Sequence, residues 1–315
     1  MKSIKSELLK KILVLDGSYG TYIRKFNLKK YDYHKSRFLS HSKNLFGFHE
    51  ILNLTNPKLI QEIHEKYLRA GADIIETNSF RANEYYLAKY DLSGLAYEIN
   101  LTAAKIAREQ ANKYSMLNRS KLRYVFGSIG PVHEILTSEQ YKQVYSQQIK
   151  GLLAGRVDGI LFETFVDSDN LYYALLTLNE ILEKRSKSIF VILSATVKNP
   201  NNSLFLNKDF IKRVSEEFKN LDIIAVGENC GFGPKNVYTH IKELSKEVNL
   251  PIIVYPSLGL SGKETMSISE YLVYLKKFLD DELVNIIGGC CGTTPKTIEH
   301  ISKLVKDYKP RAFYF

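Results

Sequence analysis

Asn285-Ile286-Ile287-Gly288-Gly289-Cys290-Cys291-Gly292-Thr293-Thr294-Pro295 holds the pattern of the whole chain in miniature. An apolar run leads in, two glycines permit a sharp turn, and two adjacent cysteines follow. Gly-Thr-Thr-Pro then reads as a helix start, because proline suits the first helical position. The third cysteine, Cys230, closes Gly227-Glu228-Asn229-Cys230-Gly231, again at the end of an apolar run. All three cysteines therefore fall at the ends of strand-like segments.

The same unit recurs along the chain. Seven further apolar runs precede amphipathic stretches: Lys11 to Leu15, Ala72 to Ile75, Tyr124 to Phe126, Gly159 to Phe162, Ile189 to Leu193, Ile223 to Val226 and Pro251 to Tyr255. Helical spacing is clearest from Pro57 to Ala70, where Leu59, Ile60, Ile63, Tyr67 and Leu68 share a face and Gly71 ends the pattern. Further helices are expected near 95–114, 138–154, 208–219 and 267–280. Others run up to Lys184 and begin at Pro234 and Pro295. Continuous apolar runs suit strands buried on both faces. Eight strand–helix units in 315 residues predict an α/β fold, a (β/α)8 TIM-type barrel forming one domain over 1–315. A doubly wound open sheet is the alternative. Residues 22 to 56, polar and aromatic, read as an excursion over one barrel mouth. Lys309 to Phe315 form a short aromatic tail.

Composition narrows the function. Net charge is +10, but the lysines are scattered and no basic run is interleaved with stacking aromatics, so no nucleic-acid partner is expected. No run approaches bilayer-spanning length, and the charged start, Met1-Lys2-Ser3-Ile4-Lys5-Ser6-Glu7, lacks the apolar core of a signal peptide. Three cysteines make no disulfide framework, so free thiols or metal ligands in a reducing cytoplasm are expected.

In such a barrel the chemistry collects at the C-terminal strand ends. Asp16, Glu76, Asn78, Ser128, Glu163, Asn229, Cys230, Cys290 and Cys291 all stand there. Strands six and eight are near neighbours around a closed barrel, so Cys230 can approach Cys290 and Cys291. Three thiolates are a zinc set with one position open. A regular strand would point adjacent cysteines apart, and Gly288, Gly289 and Gly292 permit the needed distortion. Buried hydrophobic cysteines, or a closed site completed by His133, are the other readings. Three thiolates outweigh the charge of the ion. The centre suits a soft incoming thiol, which would lose its proton there and remain nucleophilic. No catalytic side chain beyond the zinc centre is then required.

These motifs resemble the homocysteine S-methyltransferase family from about Ile12 to about Val305. The resemblance rests on Leu15-Asp16-Gly17-Ser18-Tyr19-Gly20-Thr21, on Ala70 through Phe80, and on Gly127-Ser128-Ile129-Gly130-Pro131. It extends to Phe162-Glu163-Thr164-Phe165, to Gly227-Glu228-Asn229-Cys230 with Gly233-Pro234, and to Gly288 through Pro295. It implies Zn2+ on Cys230, Cys290 and Cys291 with homocysteine sulfur as fourth ligand. Asp16 and Glu163 would hold the substrate ammonium, and the amides of Gly17 and Ser18 its carboxylate. Glu76, Thr77, Asn78 and Asn229 fit supporting or pocket roles.

The expected reaction moves a methyl group onto the zinc-bound thiolate of homocysteine to give methionine. The donor would be a small methylated compound, or a methyl-corrinoid or methyl-folate carried by another protein. An aromatic cage from Tyr19 and Tyr22 would suit a quaternary ammonium donor, with packing as the other role for these rings. The segment Glu76 to Asn83 is similar to two groups within the family: the homocysteine module of cobalamin-dependent methionine synthase, and the methyltransferase half of proteins fused to methylenetetrahydrofolate reductase. Folate, cobalamin or reductase domains are not expected within this chain. Ser257-Leu258-Gly259, Leu206 and Glu228 depart from the family pattern, Glu228 by adding negative charge near the metal site. A non-catalytic or split-enzyme zinc-binding subunit, a different thiol acceptor and a homo-oligomer stay open.

Overall fold

Eight parallel strands run in chain order: β1 (Leu13–Val14), β2 (Ile74–Glu76), β3 (Tyr124–Ile129), β4 (Gly159–Phe165), β5 (Ile189–Ala195), β6 (Leu221–Cys230), β7 (Ile252–Pro256) and β8 (Ile286–Ile287). The computed structural model describes residues 3–119, 121–199, 201–259 and 266–314. Met1, Lys2, Pro200 of the polar loop after β5, and Phe315 lie outside the described residues. The sheet order is β1-β8-β7-β6-β5-β4-β3-β2. A parallel bridge from Leu15 to Ile74 brings the two edges together, with Asp16 N–H donating to Ile74 O at 3.0 Å. The fold is the (β/α)8 barrel.

Sequence reading finds all eight strands but misjudges their ends. β6 extends to Cys230 and β4 to Phe165, whereas β1 and β8 shrink to two residues each. The long strands run on because their polar ends face one another and find partners inside the barrel. β1 and β8 stop early because glycine and aspartate begin the loops that carry the site.

Helices follow the strands and close at expected signals. Proline opens the helices Pro57–Ala70, Pro234–Glu247 and Pro295–Leu304. Thr137 and Gln140 form a capping box before the helix Ser138–Ala154, each side chain meeting the other's backbone N–H. Gly71 ends the helix Pro57–Ala70 at φ 108°, a conformation that costs a side-chain-bearing residue energy. The remaining barrel helices are Ala96–Leu117, Ser168–Glu183, Lys208–Glu217 and Ile268–Asp280.

Two cores result. A large one lies between strands and helices, and a smaller one fills the barrel with Leu13, Leu15, Phe126, Leu161, Ile192, Ile253 and Ile286. Ile4 and Leu8 from the helix Ile4–Leu8, with Phe313 from the tail, join the inner core and plug its lower end. The aromatic tail therefore has a packing role. Arg311 fastens it, donating to the carbonyls of Ser245, Val248 and Leu250 at 2.8–3.1 Å. At the same end the buried Asp73 carboxylate binds Lys11 at 2.9 Å, Arg123 at 3.1 Å and the Val14 amide at 3.1 Å, latching β1 to β2 and β3.

Candidate active site

At the opposite end the strand termini converge. The Cys230, Cys290 and Cys291 sulfurs all lie within 4.8 Å of one another, with Cys230 Sγ 3.7 Å from Cys291 Sγ. Backbone geometry makes this meeting happen. Cys230 has φ 56°, outside the strand region, so Asn229 and Cys230 both face the barrel mouth although they are adjacent. The Cys290–Cys291 turn is clamped from several sides. Cys290 N–H donates to Pro256 O at 3.1 Å, Thr293 Oγ1 donates to Cys290 O at 2.7 Å, and Cys291 O accepts from Leu258 N–H at 2.8 Å. Gly292 turns at φ 85° and donates its N–H to Thr21 Oγ1 at 3.0 Å. A side chain there would sit 2.3 Å from Gly259 O.

The thiols share their protons unequally. Hydrogen bonds from Cys230 and Cys290 hold Cys291 far below the ordinary thiol range, at about 3. Cys290 is pushed up by its bonds to the other two sulfurs and by burial. The Cys290 hydrogen bond lowers Cys230, yet its bond to Cys291, its burial and the charges of Cys291 and Glu163 push it up to about 12. Three sulfur ligands within reach of one another form a set that could hold a metal ion.

Beside the thiols lie three carboxylates, Asp16 and Glu163 buried and Glu76 half-buried. Burial raises Asp16 well above the carboxylate range, opposed by hydrogen bonds from Tyr19 Oη (2.7 Å) and Glu76 N–H (3.0 Å). Glu76 is raised by burial and then by the charges of Glu163 and Asp16. Burial lifts Glu163 to about 7 despite the hydrogen bond donated by Ser128 Oγ. Asp16 Oδ1 and Glu76 Oε1 are buried with no hydrogen-bond partner among the described residues. Such acceptors call for a cationic, hydrogen-bonding guest.

The other expected residues divide. Asn229 belongs to the cluster: its Nδ2 reaches Thr164 Oγ1 at 2.7 Å and Cys290 Sγ at 3.9 Å, and its Oδ1 accepts from Ser194 Oγ and Thr164 N–H. Ser18 N–H donates to Thr293 Oγ1 at 3.2 Å, and a side chain at Gly17 would meet that same oxygen at 2.8 Å. Thr77 bonds Ser79 Oγ and Ser128 N–H, and Asn78 bonds His49 O at 2.9 Å. Both hold loops together rather than presenting free groups. Glu228 faces away from the thiols and pairs with His240 Nδ1 at 2.9 Å on the helix Pro234–Glu247, so its charge is answered locally. Tyr22 packs on Phe26 and Tyr67, whereas Tyr19 joins the site through Asp16.

Sequence reasoning passed over Tyr255 and His64. Tyr255 sits inside an apolar run, and a histidine on the apolar face of a helix reads as core. The one signal for Tyr255 was its place near the end of strand seven.

A (β/α)8 barrel whose mouth sets a tri-thiol cluster against carboxylates has the layout of a barrel enzyme with a set of sulfur ligands able to hold a metal ion. The homocysteine S-methyltransferase profile matches residues 13–305, and the chain belongs to that family of methyltransferases. In solved structures it is similar to the homocysteine methyltransferase MmuM from Escherichia coli. The metallated form is 21% identical with TM-score 0.72, covering 94% of this chain and 96% of that one. The oxidized form is 22% identical with TM-score 0.73, covering 93% and 96%. At this identity the likeness speaks for the fold.

Proposed function

We propose that this chain is a single-domain, zinc-dependent homocysteine S-methyltransferase that makes methionine. The observation carrying the reading is the juxtaposition of three convergent thiols with three carboxylates, two of which, Asp16 and Glu76, keep a buried oxygen without a partner among the described residues. Two sulfurs on one tetrahedral zinc, each about 2.3 Å away, stand about 3.8 Å apart. The Cys230–Cys291 separation of 3.7 Å fits without rearrangement. Cys230, Cys290 and Cys291 would hold the ion. Bound by three thiolates, zinc supplies a soft open position that favours an incoming thiol over water and keeps it deprotonated at neutral pH.

The protein's own groups do the rest. Asp16, Glu76 and Glu163 would receive the homocysteine ammonium, which satisfies the orphaned oxygens of Asp16 and Glu76 and relieves the mutual repulsion of the three. The amide of Gly17 would meet the substrate carboxylate, whereas that of Ser18 is given to Thr293 Oγ1. Asn229, held rigidly by Thr164 and Ser194, directs an amide N–H at Cys290 and fixes that sulfur. Positioning of the acceptor sulfur in line with the donor methyl then supplies much of the rate. Overall the homocysteine S–H proton leaves, an S–CH3 bond forms and the donor's bond to methyl breaks. The donor is a small methylated compound, or a methyl-corrinoid or methyl-folate borne by another protein. Three free thiols suit a reducing cytoplasm. Among the described residues no helix is long and apolar enough to cross a membrane.

The deciding experiment incubates zinc-loaded protein with homocysteine and, separately, S-methylmethionine, betaine, methyltetrahydrofolate and methylcobalamin, with methionine quantified. Methionine from any of them supports the reading. Zinc binding without turnover on all four points to a carrier or split-enzyme subunit instead.

A further inference from the structure

Behind Asp16 lies a buried chain of hydrogen bonds that the reaction just described leaves unused. Tyr19 Oη sits 2.7 Å from Asp16 Oδ2 and 2.7 Å from His64 Nδ1. His64 comes from the helix Pro57–Ala70, is wholly buried, and has no partner for Nε2 among the described residues. The Tyr19 ring meets the imidazole edge to face at 5.3 Å, which fixes both rings.

A phenol carries one proton and serves two neighbours here, so the arrangement has two states. If Tyr19 donates to an Asp16 carboxylate, its oxygen must accept from His64, whose proton then lies on Nδ1. If Tyr19 donates to His64, the proton lies on Nε2 and Asp16 must itself be protonated to complete the bond. The environment of Nε2 separates the two. A buried, orphaned N–H is rarer and costlier than an under-used acceptor. The Nδ1–H state leaves only a lone pair unsatisfied.

We propose that His64 is a positioning residue: its Nδ1–H anchors Tyr19 so that the phenol proton is committed to Asp16, holding that group as a carboxylate turned toward the substrate ammonium. This rests on the ammonium-binding role given to Asp16 above. Oδ2 is then fixed by Tyr19 and the Glu76 amide, and Oδ1 is the oxygen left for the ligand. His64 touches no substrate and acts through Tyr19.

The test joins spectroscopy to kinetics on the zinc-loaded enzyme. Proton–nitrogen correlation spectra of 15N-histidine protein, with the His64 signal assigned by its loss in His64→Gln, are expected to show the Nδ1–H tautomer with homocysteine bound. An Nε2–H tautomer both with and without homocysteine overturns the proposal. Tyr19→Phe and His64→Leu are each expected to raise KM for homocysteine about tenfold, with kcat within about twofold. His64→Gln, whose amide N–H can face the phenol oxygen, is expected to recover most of that loss. Tyr19→Phe keeps the ring and answers the question if His64→Leu fails to fold. Should Asp16→Asn raise KM while Tyr19→Phe does not, the relay is overturned and the ammonium reading stands. Should Asp16→Asn leave KM unchanged, the ammonium reading fails, and the role of His64 with it.

Discussion

Cys230 and Asn229 are neighbours that both face the mouth, and the φ of 56° at Cys230 is the reason. Glu228, two residues before, points outward to His240. The three thiols were legible in the sequence because they terminate apolar runs. The direction of Glu228 was not, because β6 carries an extra residue: Val191 pairs with Ile223 and Ile192 with Ala225, so Ile224 is skipped and the alternation shifts. Two outcomes belong at this scale. Cys230→Ala is expected to drop zinc from about one per chain to a small fraction, measured by metal analysis of the reduced protein. Glu163→Gln keeps the size of the side chain but removes its charge. Homocysteine affinity is expected to fall about 10- to 100-fold by calorimetry while zinc content stays unchanged.

The elements that carry the site are held by close backbone approaches. β6 passes β7 so tightly that a Cβ on Gly227 would lie 1.8 Å from Ile253 O. Backbone cannot yield there as a flexible side chain would, so Gly227→Ala is expected to destabilise the barrel by about 3 kcal/mol, read from denaturant midpoints. Helices Pro57–Ala70 and Ser138–Ala154 were legible almost to the residue because proline, glycine and capping signals bound them. β1 and β8 were over-read because apolar runs continue past the paired residues. The partnership of Tyr19 with His64 was invisible for a different reason. It joins two elements whose facing depends on the finished barrel.

For the whole molecule, the buried His64 and the half-buried His49 weaken the fold toward acid. Burial lowers His64 to about 3, and burial with the nearby charges of Arg24 and Arg81 lowers His49 to about 4. Native protein thus binds fewer protons than unfolded protein between these values and the ordinary 6.5. The stabilisation is complete above pH 6.5 and is lost as pH falls, at roughly 1.4 kcal/mol per pH unit for each histidine. The carboxylates that burial raises, Asp16, Glu76 and Glu163, act in the opposite sense, so the readout is a difference: in denaturant titrations of the zinc-free protein from pH 7 to 5, wild type is expected to lose stability relative to His64→Gln by about one proton's worth per pH unit.

Thr293 closes the barrel and the site in one stroke. Its hydroxyl donates to Cys290 O and accepts from Ser18 N–H, tying the loop after the last strand to the loop after the first. This fixes a temporal order. As the chain leaves the ribosome, Cys230 emerges as a lone thiol, and its two partners follow only after strand eight. The full ligand set exists only once nearly the entire barrel has been made, so metal capture would mark a finished barrel, and a chain truncated before Cys290 keeps a single weak ligand.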